Sequence, residues 1–299
     1  MNRINSICRN FLCGASSDYK NPPNINWDIC CMTKDEGGLG IKEAKIWNKA
    51  LLGKYVWWLA NKKDHFWVRW VNHVYMKDTS WTDYMASSDC SWSLKKIVLI
   101  MSIFKQAYVS NNWLNSSKEY SVKAGYDWLR GPQPKVEWSY VCWNHLNLPK
   151  TSFICWEFMH KRLPTRDRLL RMGCPIDPVC STCCQAPETH SHLVYECAYA
   201  IECFKLLHCR QHICLRVQEL VHWFSTVRRP TKLQKRFIGA CHVAVIYWLW
   251  RIRNEAKMNA VVRRPEVLVS QILHDMKARV LALNNAPPLP RDQAWFQNL

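Results

Sequence analysis

The chain of 299 residues carries 41 Lys+Arg against 23 Asp+Glu, a formal net charge of +18, with 48% hydrophobic and 21% charged residues. That balance excludes wholesale disorder, and the length accommodates about two ordinary domains. Only 9 Gly stand beside 17 Trp, which argues against a glycine-looped nucleotide fold and for aromatic-rich helix packing.

The first residues contain Arg3 and Arg9 but no continuous apolar stretch of a secretory signal. The apolar run Phe237 to Trp250 is shorter than the roughly 18 residues of a membrane span and contains His242. The expectation is an intracellular protein, nuclear or cytoplasmic and not secreted, with no membrane partner and its cysteines in a reducing compartment.

Helical periods come first in chain order. Apolar residues recur at Trp47, Leu51, Tyr55, Trp58 and Leu59 between 43 and 59, and again at Trp67, Trp70, Val71, Val74 and Tyr75. A Ser/Asp-rich stretch from Asp78 to Ser93 reads as loop, Leu94 to Tyr108 as a third helix, and Asn111 to Glu119 as a polar break. This break sets an expected boundary near Lys118. Beyond it, Ser121 can cap a helix through Leu129, Gly131-Pro132-Gln133-Pro134 ends it, and short helices follow around Trp138 to His145 and Thr151 to Lys161. Thr165 caps a helix that stops at Gly173, the usual left-handed position after a helix end.

The chain then arrives at an unusual density of sulfur. Eight of the sixteen cysteines lie between Cys174 and Cys214, and within that stretch Cys180, Cys183, His192 and Cys197 form a C-x2-C…H-x4-C arrangement. Two thiolates three positions apart can bind one ion from a single tight turn, and a His and Cys five apart supply the remaining corners of a tetrahedron. Three sulfurs and an imidazole suit zinc, whereas an iron–sulfur cluster usually calls for four thiolates. Ordinary buried thiols, a disulfide and a Cys–His nucleophile pair are the competing readings, and Cys184 or His190 is close enough to replace Cys183 or His192. Because so short a loop has little core of its own, zinc would contribute to folding outright.

Helical patterns resume over 198–211, 217–227, 231–258 and 265–283, with Pro230 and Pro265 placed where helices can start, and Ala286 to Pro290 reads as a frayed end. The expected fold class is mostly α: helical segments around a small zinc-binding loop, with few or no strands and at most a short ribbon at the metal site. Between Arg216 and Arg264 eleven Lys/Arg face only Glu219 and Glu255. Aromatics in the same region read as the core of a buried helix, while the basic residues point to a polyanion. Arg228, Arg229, Lys232, Lys235, Arg236, Arg251 and Arg253, with a smaller cluster at Lys161, Arg162, Arg166 and Arg168, are the candidate nucleic-acid-binding residues. Their expected partner is RNA or DNA bound largely without sequence preference.

Other chemistry is thin. Gly37-Gly38-Leu39-Gly40 lacks the Gly-Lys-Ser/Thr of a phosphate loop and reads as a turn. His65, His73, His145, His160, His208, His222, His242 and His274 have no ligand-type spacing, and no carboxylate pair suggests an acid/base site or a small-molecule substrate.

Around the cysteines, four ordered motifs carry a family resemblance: Tyr120-Ser121-Val122-Lys123-Ala124-Gly125-Tyr126-Asp127-Trp128-Leu129; Trp143 with Leu148-Pro149-Lys150, Phe153 and Trp156; Arg162-Leu163-Pro164-Thr165-Arg166-Asp167-Arg168-Leu169; and Glu188-Thr189 with His192-Leu193 and Cys197. This stretch resembles the zinc-binding domain at the C-terminal end of plant non-LTR (LINE-type) retrotransposon reverse transcriptases. Upstream, Glu36-Gly37-Gly38-Leu39-Gly40-Ile41 and Asn48-Lys49-Ala50-Leu51-Leu52-Gly53-Lys54 resemble the segment after the polymerase core, and Tyr247-Trp248-Leu249-Trp250-Arg251-Ile252-Arg253-Asn254 resembles the basic helix beyond the zinc site.

The resemblance implies Cys180, Cys183, His192 and Cys197 as ligands, in agreement with the spacing. It divides the chain into a helical remnant at 1–117, the zinc-binding domain at 118–210 and a basic helical region at 211–299. The adjacent aspartates that hold metal in such polymerases have no counterpart, since no Asp-Asp pair occurs. The expectation is therefore a truncated, non-catalytic remnant that binds zinc and nucleic acid. An accessory acting in trans with an intact reverse transcriptase, and a protein–protein adaptor, are the alternatives.

Overall fold

Why the sequence folds as it does is clearest from its helix ends. The computed structural model describes residues 2–14, 24–77, 79–110, 119–213, 222–223, 226–227, 230–259, 262–283 and 289–299. Among these the secondary structure is helical, apart from one isolated antiparallel bridge between Val179 and Pro187. No described helix is long and apolar enough to cross a membrane.

The chain divides into two compact units. The first takes residues 1–23, 30–32 and 39–134; the second takes 24–29, 33–38 and 135–299. The units part after Pro134, because the helix following Tyr120 packs backwards onto the first unit.

In the first unit, α1 (Asn2–Gly14) precedes α2 (Ala44–Ala60), α3 (Phe66–Val71), α4 (Trp92–Ser110) and α5 (Val122–Arg130). Glu43 caps α2 by accepting from the Ile46 N–H at 2.6 Å, and its own N–H donates to the Tyr126 hydroxyl at 3.1 Å. The second helical period is longer than α3 alone: it runs on into a π-helical turn, Asn72–Met76. α2 packs against both α4 and α5, with Val56, Trp57, Val71, Ile97, Met101 and Phe104 among the buried residues.

Where α2 meets α5, the Tyr120 hydroxyl is buried and donates to the Ala50 carbonyl at 2.8 Å. It lodges between two glycines. A Cβ added at Gly125 would lie 2.0 Å from that oxygen, and one at Gly53 would lie 2.6 Å from it and 2.4 Å from the Phe104 ring. Helix propensity favours alanine at both positions, so the glycines are there for the close approach.

The second unit is built on α10. Its helices are α6 (Ser139–Cys142), α7 (Pro149–Met159), α8 (Arg166–Arg171), α9 (Ala198–Gln211), α10 (Lys232–Asn259), α11 (Pro265–Leu283) and α12 (Pro290–Gln297). The start of α10 is a capping box: the Gln234 N–H donates to the Thr231 hydroxyl at 3.1 Å, and the Thr231 N–H to the Gln234 side chain at 3.0 Å. Phe237, Ile238, Cys241, His242, Val245, Leu249 and Ile252 are buried in succession. A helix apolar on nearly every side belongs in a core, and α10 packs against α6, α7, α9 and α11.

Two histidines from neighbouring helices sit in this core. His208 and His242 bring their Nε2 atoms to 2.8 Å, and His242 Nδ1 lies 2.8 Å from the Ile238 carbonyl. A carbonyl needs a donor, so His242 carries its proton on Nδ1 and accepts at Nε2 from His208. Both rings are neutral.

Of the segment Ala286 to Pro290 read as a frayed end, 286–288 lie outside the described residues. α12 begins at Pro290 and docks on α10 through Trp295 and Phe296, whose rings lie 5.5 and 5.0 Å from that of Phe237. Buried Asp292 accepts from the Thr231 hydroxyl at 2.7 Å. The aromatic pair and this hydrogen bond supply the anchorage that composition alone does not reveal. The helix expected over 217–227 falls mostly outside the described residues.

Gly125→Ala is expected to destabilise the protein by about 1–3 kcal/mol, as overpacking does, measured as a lower urea midpoint. Removing the hydroxyl as well, in Gly125→Ala with Tyr120→Phe, should recover part of that loss, and a wild-type midpoint for the single variant would contradict the packing described.

Candidate metal centre

The residues from Cys174 to Cys197 fold through backbone bonds that bring four side chains to one point. Gly173 adopts φ +85, ending α8, and the Cys174 N–H returns to the Leu169 carbonyl at 3.0 Å. The chain then makes a hairpin closed by the Cys180 N–H to the Ala186 carbonyl and the Glu188 N–H to the Pro178 carbonyl, both 2.8 Å. At its tip Cys180 to Cys183 form a tight turn, completed when the Cys184 N–H reaches the Cys180 carbonyl at 2.9 Å with Cys184 in the left-handed region at φ 56.

The other two ligands come from the next turn. Thr189 accepts from the His192 N–H at 3.0 Å, and a π-helical turn, His192–Glu196, closes with the Cys197 N–H on the His192 carbonyl at 2.8 Å. The wider turn carries His192 and Cys197 to the same point although they are five residues apart. Cys197 is also the N-cap of α9, so its sulfur lies where a helix favours negative charge.

The ligand atoms of Cys180, Cys183, His192 and Cys197 all lie within 4.8 Å of one another. Tetrahedral zinc with Zn–S near ~2.3 Å requires sulfurs about 3.8 Å apart, which this spread accommodates. Cys180, His192 and Cys197 are buried and Cys183 half-buried, and His192 Nε2 lies 3.3 Å from Cys183 Sγ. The donor set and its geometry fit a metal ion. The Cys180 thiol is held well below its ordinary pKa, first by the hydrogen bond from Cys197, with N–H groups of Cys183 and Thr182 adding to it. Cys197 is pushed up by that same bond and by burial.

The substitutes considered for this shell point elsewhere. His190 stacks on Phe158 with ring centroids 4.3 Å apart and places Nε2 at 2.7 Å from the Phe158 carbonyl, and Cys184 is exposed. Among the described cysteines none forms a disulfide.

Behind the metal loop lies an ion pair that pattern reading did not isolate. Arg253 of α10 reaches Glu188 at 2.8 Å, with side chains only 4% and 0% exposed. Glu188 also accepts from the Arg166 N–H at 3.0 Å, Arg253 donates to the Pro164 carbonyl, and the Ser181 hydroxyl donates to the Arg253 carbonyl at 3.3 Å. The pair thus ties the hairpin, the start of α8 and the core helix together. Burial pushes the Glu188 carboxyl up in pKa while Arg253 opposes that shift. Arg253 therefore leaves the set expected to meet nucleic acid: it is desolvated and committed to a carboxylate.

The other basic residues fall into groups. Lys161, Arg162, Lys232 and Arg236 are exposed and Lys235 half-buried. Arg166 donates to the Asp177 carbonyl at 3.1 Å and Arg168 to the Arg162 carbonyl, so both brace their own loops. Arg251 pairs with Glu255 at 2.7 Å and lies over the Trp248 ring. Arg228 and Arg229 lie outside the described residues. Arg279, not singled out by sequence, holds the Leu146 carbonyl at 2.5 Å and the Asn147 carbonyl at 3.0 Å. Together with burial, the charges of Arg236 and Arg279 hold the His145 pKa below its ordinary value. Two cations, from α10 and α11, thus converge on His145.

Comparison with known proteins agrees with this centre. Residues 120–203 match the family described as zinc-binding in reverse transcriptase. An Arabidopsis thaliana protein named as a ribonuclease H protein is 31% identical over 96 residues, covering 31% of this chain. The chain spans 16% of that relative's length. No solved structure matches.

Glu188→Ala strands a buried guanidinium and is expected to cost about 3–5 kcal/mol in urea unfolding. Exchanging both partners for apolar residues, Glu188→Leu with Arg253→Met, should restore much of that stability. A single substitution costing less than about 1 kcal/mol would show that the pair does not hold the loop to the core.

Proposed function

We propose that this protein is a zinc-stabilised, nucleic-acid-binding module of reverse-transcriptase origin, without catalysis of its own. The observation that carries the reading is the convergence of three thiols and one imidazole at the end of a hairpin anchored to the core helix. Zinc is the ion this donor set suits: it accepts sulfur and imidazole together, prefers four ligands and needs no redox partner. With all four positions filled by protein, such a centre has no open coordination site, and its role is structural. It would hold the hairpin and the start of α9 against α10.

The polyanion reading rests on what surrounds that scaffold. Lys161 and Arg162 precede α8, Lys232 and Arg236 lie on the first turns of α10, and Arg236 shares its surroundings with Arg279 and His145. Cations brought together in this way repel one another unless phosphate groups neutralise them. Contacts of this kind are made to the backbone and carry little sequence information. The fitting ligand is RNA or DNA of any sequence, engaged during reverse transcription by the parent element. The absence of an Asp-Asp pair favours a binding role over nucleotidyl transfer.

Purified protein is expected to contain about one zinc per chain. Cys180→Ser and His192→Ala should each lose the metal and the cooperative unfolding transition together, and wild-type protein that is metal-free yet unfolds cooperatively at the same midpoint would refute the assignment.

Binding to a duplex of arbitrary sequence should weaken linearly in a log–log plot against salt, and Lys232→Glu with Arg236→Glu should reduce the slope by about 2. Affinity indifferent to ionic strength would remove the nucleic-acid reading while leaving the metal centre intact.

A further inference from the structure

The first unit carries a cleft that neither the metal centre nor its basic surroundings use. It has a volume of about 800 Å³ and opens between α2 and α4, with Trp67 of α3 along one side. Leu52, Ile97 and Ile100 line its apolar part. Such surface is ordinarily covered, yet Trp92 at the first position of α4 is 74% exposed and Leu99 is 60% exposed.

Charge distinguishes this cleft from a simple apolar groove. Lys45, Lys49 and Lys96 line it, all exposed, and no lining residue is acidic. Glu43, two residues before Lys45, is turned to the Ile46 N–H and the Asn5 side chain as the cap of α2. Lys96 lies 5.6 Å from the Trp92 ring centre, and Tyr55 packs edge-on to Trp67 at 5.1 Å. The cleft therefore pairs flat aromatic faces with cations, while Asn48 and Ser93 add neutral hydrogen-bonding groups.

We propose that this cleft binds single-stranded nucleic acid, with an unpaired base stacked on Trp92 and the flanking phosphates neutralised by Lys45, Lys49 and Lys96. An aromatic face accepts any base, so the contact is tolerant of sequence. It discriminates by strandedness, because bases in a duplex are already stacked on each other and do not offer a free face. An acidic protein segment would satisfy the lysines but leave the exposed indole without a flat partner, and a second copy of this cleft would set lysine against lysine. The residues are separate from those of the second unit, so this site stands or falls independently of the basic surface there.

The test is fluorescence-anisotropy titration of the full chain with labelled oligouridylate and, separately, with a duplex. Trp92→Ala, a change at an exposed position, should weaken oligouridylate binding about 5- to 150-fold and leave duplex binding unchanged. Lys45→Glu, Lys49→Glu and Lys96→Glu together should lower the oligouridylate salt slope by about 2. Circular dichroism melts establish that each variant is folded, and Lys232→Glu with Arg236→Glu, which alters only the second unit, should retain the Trp92 effect. The proposal is overturned if wild-type protein does not bind oligouridylate, if Trp92→Ala binds it unchanged, or if duplex binding falls equally. Competition by polyglutamate but not by oligouridylate would assign the cleft to an acidic protein instead. Self-association abolished by Trp92→Ala and indifferent to oligouridylate would assign it to a second copy.

Discussion

A carboxylate and a guanidinium removed from water together, Glu188 and Arg253, determine how the metal loop relates to the core of its unit. Burying either alone would be prohibitive, and the pair is tolerated because each partner also satisfies backbone groups: the Arg166 N–H for Glu188 and the Pro164 carbonyl for Arg253. The hairpin bearing Cys180 and Cys183 is consequently oriented from two directions, by its four ligand atoms in front and by the ion pair behind. A short loop with little apolar surface could not define its own position by packing. Here position comes from directional bonds, while the apolar contribution comes from α10.

This division of labour explains what could be read from the sequence. Spacing pointed to Cys180, Cys183, His192 and Cys197, with Cys184 and His190 as possible replacements, since a metal shell constrains the intervals between its members. Helix ends were equally legible where capping chemistry is local, as at Ser121, whose hydroxyl accepts from the Ala124 N–H. Gly173 was readable for the same reason. The choice between His192 and His190 was not, because it depends on a π-helical turn that rotates one imidazole toward the thiols and leaves the other against Phe158.

Long-range commitments were harder. Arg253 sits in a run with Arg251 and looks like one more cation, but its place on α10 faces a carboxylate 65 residues upstream in the chain. The packing of Tyr120 between Gly53 and Gly125, which places the helix after it in the first compact unit, has no local signal. Nor could composition show that Trp295 and Phe296 would find Phe237. In each case the deciding partner lies far away in sequence, and no local period encodes it.

The neutral imidazole couple of α9 and α10 has a consequence of its own. Burial pushes the His242 pKa down to about 3 and lowers that of His208 as well, whereas an unfolded chain would take up protons near pH 6.5. Unfolding is therefore linked to proton uptake over the interval between those values, and the helical core of the second unit weakens progressively as the medium acidifies through it. The same two rings that complete the interior at neutrality make it acid-labile.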